Sequence, residues 1–141
     1  MIYYQFDPET DREILKFIHE SGKLPDSLSN YLVKPPIEMK ENEEAFVFSN
    51  DDVEIGFLWL TYIEGEQLEV TCLYIAELSY SERFHKKLMD FAVKRAKYLG
   101  FQRLVLNMDG MYERDQLMEL RDELGCIRLE SNGHLIECIL D

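Results

Sequence analysis

Leu68-Glu69-Val70-Thr71-Cys72-Leu73-Tyr74-Ile75-Ala76-Glu77-Leu78 is an apolar run, followed by an amphipathic stretch from about Tyr80 to Leu99, then Gly100 and a second apolar run, Phe101 to Met108. The first run is apolar on both faces and reads as a central strand. Strict alternation places Val70, Cys72 and Tyr74 on one side and Thr71, Leu73 and Ile75 on the other. The middle stretch carries Phe84, Leu88, Phe91, Ala92, Ala96 and Leu99 at helical spacing, with Lys86, Lys87, Asp90, Lys94 and Lys97 toward water. Strand, crossover helix and parallel strand make a βαβ unit, nearly always right-handed. Ligands gather where the first strand gives way to the helix.

Upstream, Ile2 to Phe6 is aromatic and β-branched, the composition of a strand. Asp7-Pro8 reads as a helix start, with Ile14, Leu15 and Ile18 as its apolar stripe and Gly22 as its C-cap. Leu24-Pro25-Asp26 opens a shorter helix that stops before Pro35-Pro36. Ile37 to Glu44 is acidic and reads as a loop. Ala45–Phe48, Val53–Ile63 and the strand from Leu68 read as consecutive antiparallel strands, joined at Asn50-Asp51-Asp52 and Glu64-Gly65-Glu66. Downstream, Glu113 to Leu124 reads as a helix ended by Gly125. Cys126–Glu130 and His134–Leu140 read as a hairpin turning at Asn132-Gly133.

The 141 residues amount to one domain. Formal net charge is -13 at pH 7, which argues against nucleic acid and against anionic membranes as partners. It suits cationic partners such as amines or basic peptides, and equally suits solubility alone. Cys72, Cys126 and Cys138 are odd in number and lack CxxC spacing, so neither a disulfide framework nor a zinc site is expected. No stretch is long and apolar enough to span a membrane. With no signal-peptide pattern at Met1–Phe6, a cytoplasmic location is the expectation.

The element order, the Leu73-Tyr74-Ile75-Ala76-Glu77 strand end, the Leu88-Met89, Ala92, Ala96, Leu99-Gly100-Phe101 helix and step, and Glu123-Leu124-Gly125 together resemble the GNAT superfamily of acyl-CoA-dependent N-acetyltransferases. The resemblance implies an α+β fold: a mixed sheet of about seven strands, in the order β-α-α-β-β-β-α-β-α-β-β, with helices on both faces. It implies acetyl-CoA as co-substrate and a primary amine, on a small molecule or a peptide, as acceptor. The pantetheine arm would pair with the backbone at Leu73, Ile75 and Ala76, with Asn107 at the end of the neighbouring strand. Glu69 falls at the family's general-base position. A carboxylate on a central strand is partly desolvated, which makes it a better base.

The chain departs from the family at the pyrophosphate loop, where Tyr80-Ser81-Glu82-Arg83-Phe84-His85 holds no glycine. Glycine lets a phosphate approach bare backbone N–H groups. Ser79-Tyr80-Ser81-Glu82 instead matches a capping box that satisfies such donors with side chains. Arg83, His85, Lys86 and Lys87 are the candidate replacements, as charge-assisted contacts; a solvated basic face is the other reading. Arg121 stands where the family's proton-donating tyrosine is expected and cannot act as an acid. Tyr112 is the candidate substitute, with Cys126 as another. Two functions remain open at this level: an N-acetyltransferase, or an inactive GNAT-fold binding protein that has lost acetyl-CoA. For either, the exposed edge of the final hairpin is a natural homodimer surface.

Overall fold

The computed structural model describes residues 2–32, 38–50, 53–63, 67–76, 82–107, 128–129 and 135–139. The strands are β1 (Ile2–Gln5), β2 (Glu43–Asn50), β3 (Val53–Ile63), β4 (Gln67–Ile75), β5 (Arg103–Asn107), β6 (Arg128–Leu129) and β7 (Leu135–Ile139), and the helices are α1 (Arg12–Glu20) and α2 (Glu82–Tyr98). The strands lie in the order β1-β2-β3-β4-β5-β7-β6. β1 to β4 are antiparallel neighbours, and β4 and β5 are parallel, with α2 as the crossover. The result is a mixed α+β fold. The expected helix at 113–124 and the Asn132-Gly133 turn lie outside the described residues.

Each face of the sheet carries its own core. On one, Phe46, Phe48, Leu58, Leu60, Leu68, Val70, Leu104 and Leu106 meet Leu88, Met89, Ala92 and Ala96 of α2. On the other, Ala45, Val47, Phe57, Trp59, Cys72 and Tyr74 meet Leu15 and Ile18 of α1, and Leu28 and Tyr31 of a 3₁₀ helix at Asp26–Leu32. Gly56 brings α2 close: a Cβ there would stand 3.0 Å from Leu88 Cδ2 and 3.3 Å from the Tyr74 carbonyl oxygen. Gly100 adopts φ +82°, the left-handed conformation that glycine enters without strain, and the chain turns there into β5.

Four expectations need correction. The first helix begins at Arg12, not at Pro8, because Asp7 and Asp11 close a turn on each other. The Asp7 N–H donates to Asp11 Oδ2 and the Asp11 N–H to the Asp7 carbonyl. The second helix is 3₁₀ rather than α. Glu43 and Glu44, expected in a loop, begin β2, because distant groups hold both carboxylates.

The fourth correction positions the site. Alternation along β4 breaks at Thr71. Trp59 pairs with Cys72 and Leu60 with Val70, which leaves Thr71 as an extra residue between them. Val70 therefore faces α2 while Cys72 faces α1. One extra residue on one strand is a β-bulge, which bends the strand and sharpens its twist.

Candidate functional site

The bulge follows directly on the last described pair between β4 and β5. Their parallel register runs from Gln67↔Arg103 to Val70↔Leu106 and ends there among the described residues, while β4 continues through Thr71 to Ile75. A strand that bends away from its neighbour exposes backbone N–H and C=O groups on that side, and an extended ligand can pair with them. Leu73 and Ile75 send their side chains into the α2-side core, so only their backbone can serve a ligand. Ala76, just beyond β4, is half-buried.

Glu69 sits two residues before the bulge. Its backbone pairs with Thr61 on one side and Val105 on the other. Its neighbours Leu68 and Val70 face α2, so Glu69 faces α1. The Thr61 and Thr71 hydroxyls are 2.6 Å apart, and Thr71 Oγ1 donates weakly to Glu69 Oε1 at 3.5 Å. Burial raises the Glu69 carboxyl above its ordinary value, and the Thr71 hydrogen bond partly opposes this. The same row of the sheet holds Glu43, which accepts hydrogen bonds from Tyr31 Oη and from Trp59 Nε1, the latter at 3.0 Å. Trp59 and Tyr31 are thus structural, and they tie the 3₁₀ helix to the sheet. Burial pushes the Cys72 thiol up to about 12, so it is no nucleophile near neutrality.

A cleft of about 410 Å³ opens on the α1 side, at the far end of β4. Its walls include Ile14, Phe17 and Ile18 of α1, Phe57 of β3, and Tyr74 and Ala76. Glu69 pairs with Thr61 and Tyr74 with Phe57, four steps apart on β3, roughly 13 Å at strand rise. The cleft and the carboxylate are therefore separate places.

Solved structures share this fold. A Bacillus subtilis acetyltransferase in complex with CoA superposes with a TM-score of 0.66 at 17% identity, over 99% of this chain and 97% of that one. An aminoglycoside 6'-N-acetyltransferase complexed with coenzyme A gives 0.67 at 14% identity, over 97% and 94%. A spermidine N-acetyltransferase from Vibrio cholerae gives 0.66 at 12% identity, over 99% and 94%. This is the GNAT fold. No protein-family model matches the sequence, and no curated protein matches it significantly.

Within the GNAT fold the expected site residues divide into three groups. Glu69, Leu73, Ile75 and Ala76 lie along one strand and its exit. Lys86 and Lys87 are exposed in the first half of α2, whose first turn contains Arg83 and His85; the side chains of those two are outside the described set. Asn107 ends β5 opposite Leu135. Tyr112, Arg121, Cys126 and the 79–81 part of the loop lie outside the described residues. Sequence reasoning missed Thr71, because a hydroxyl on an apolar strand gives no sign of a bulge. It also missed the cleft, although Phe17, between the stripe residues Ile14 and Ile18, hinted at it. Among the described residues no three His, Cys, Asp or Glu side chains gather to hold a metal, and no helix is long and apolar enough to cross a membrane.

Proposed function

We propose that this protein is an N-acyltransferase that moves an acetyl group from acetyl-CoA to a primary amine. The observation that carries the reading is that the described β4–β5 pairing ends at Val70↔Leu106 while β4 runs on, past its bulge, to Ile75. The backbone of Leu73, Ile75 and Ala76 on that open side suits the amide-rich pantetheine arm, whose recognition needs main-chain pairing rather than particular side chains. Lys86 and Lys87, with Arg83 and His85, all in the first half of α2, are the proposed counter-charges for a pyrophosphate. Acetyl-CoA supplies the activated thioester.

Glu69 is the proposed general base, at the closed end of the opening. A protonated amine must lose a proton before it can act as a nucleophile. Burial favours the protonated Glu69 carboxyl, which brings its basicity nearer to what that transfer needs. Tyr112 is the proposed proton donor to the leaving group. The excess of acidic residues, 28 against 15 basic ones, favours a cationic acceptor. Spermidine and aminoglycosides, named in similar structures, belong to that class.

The glycine-free loop supports a second reading, a GNAT-fold binding protein without CoA. One pair of measurements separates them. Saturation with acetyl-CoA at a hundred times its dissociation constant should stabilise the acyltransferase by about 2.7 kcal/mol, and Glu69→Gln should then lower turnover of a polyamine by about 10²- to 10⁴-fold. Full activity in Glu69→Gln would remove Glu69 as the base. No stabilisation by acetyl-CoA or CoA would leave the binding-protein reading.

A further inference from the structure

The α1 cleft has features that the acyl-transfer reading does not use. Its volume, about 410 Å³, is within the range of small-ligand pockets. Ile14, Ile18, Phe57 and Ala76 make its apolar surface. Phe17 and Tyr74 stand edge to face, with ring centroids 6.3 Å apart and planes at 73°. Tyr74 is 8% exposed, but Phe17 is 58% exposed. An aromatic ring left in water beside a cavity costs hydrophobic stabilisation that folding does not recover. Among the described residues, the charged side chains that line it are Asp11 and Glu13, both acidic. Glu13 is exposed and Asp11 half-buried, which puts negative charge toward the rim. The nearest cation in sequence, Arg12, donates instead to the Leu32 carbonyl.

We propose that this cleft binds a small organic cation with an aromatic or branched apolar body, such as an arylalkyl ammonium. The body fills the apolar floor, and the cationic head sits among Asp11, Glu13 and the faces of Phe17 and Tyr74. A positive charge is attracted both by carboxylates and by aromatic ring faces. An anion would meet repulsion there, and a neutral ligand would gain only from the floor. The site stands about 13 Å along the sheet from Glu69, so binding here does not require acyl transfer.

The test uses benzyltrimethylammonium, a quaternary cation with no N–H to acylate, in isothermal titration calorimetry on the full chain. Phenylpropanol is the neutral comparison. The expected result is saturable one-to-one binding of the cation, at least about tenfold tighter than the alcohol. Glu13→Lys and Phe17→Ala should each weaken it by about tenfold; both side chains are exposed, and circular dichroism checks that each variant folds. Glu69→Gln should bind it as the unmodified protein does, which separates this site from the fate of the catalytic reading. Absence of binding, equal affinity for the alcohol, or unchanged affinity in both rim variants would overturn the proposal.

Discussion

Glu44 and Glu69 occupy adjacent rows of one sheet, on opposite faces, and meet opposite circumstances. Glu44 is 7% exposed on the α2 side, where Arg95 grips it with Nε at 2.6 Å and Nη2 at 2.9 Å. That guanidinium also lies over the rings of Phe46 and Tyr98, at 5.9 and 5.4 Å from their centroids. The Glu44 carboxylate raises Arg95 well above its ordinary value. Glu69 is half-buried on the α1 side, and its described hydrogen-bond partner is one hydroxyl at 3.5 Å. Burial alone therefore does not decide what a carboxylate does. A partnered one joins elements, and one that is desolvated with no cation among its described partners is left with proton affinity to use.

The largest effect expected from breaking this contrast is at Arg95. Arg95→Met strands Glu44 without its cation, and removing one partner of a fully buried pair costs about 3–5 kcal/mol. Because Arg95 is itself 30% exposed, the expected loss is smaller, about 2–3 kcal/mol, read from urea unfolding. A loss below about 1 kcal/mol would mean that the pair behaves as a surface bridge.

A smaller effect, of opposite sign, is expected from Glu69→Gln. The folded carboxyl binds its proton more tightly than the unfolded one, whose ordinary value is 4.5. Its contribution to stability is therefore full below that value and declines as pH rises through the raised folded value. The variant should be more stable than the parent at neutral pH, and the difference should vanish on acidification. A variant less stable at neutrality would show that Glu69 has a stabilising partner.

The smallest expected effect is at Thr71. Thr71→Val removes the hydrogen bond that holds the Glu69 proton affinity down, so the acid limb of the pH–rate profile should move to higher pH. A limb that does not move, or moves down, would take Thr71 out of the site.

The sequence made the α2-side half of this contrast only partly legible. An apolar, aromatic-rich run between two turn signals gave β3 at Val53–Ile63, and helical spacing with Gly100 gave the end of α2, because both depend on neighbours in sequence. Glu44 read as loop because its partner lies 51 residues away. The same holds for Glu43, whose partners Tyr31 and Trp59 lie on other elements. Glu69 was found through family resemblance, and its desolvation through its place on a central strand. The bulge beside it was invisible, since it is a matter of register against β3 rather than of residue type. Lys86, Lys87 and Leu73 were placed correctly on their elements and Ala76 falls one residue past its strand, but what they bind is not written in any local pattern.

Thr71 also has a consequence for chain length. Removing it would leave Val70 toward α2 and Cys72 toward α1, the sides they occupy now, because the extra residue is absorbed within the strand. A one-residue deletion anywhere else in β4 would exchange the faces of every side chain on one side of the cut. Position 71 is thus the place where this strand can shorten without scrambling either core. What such a shortened chain would give up is the bend in β4 where its described pairing with β5 ends.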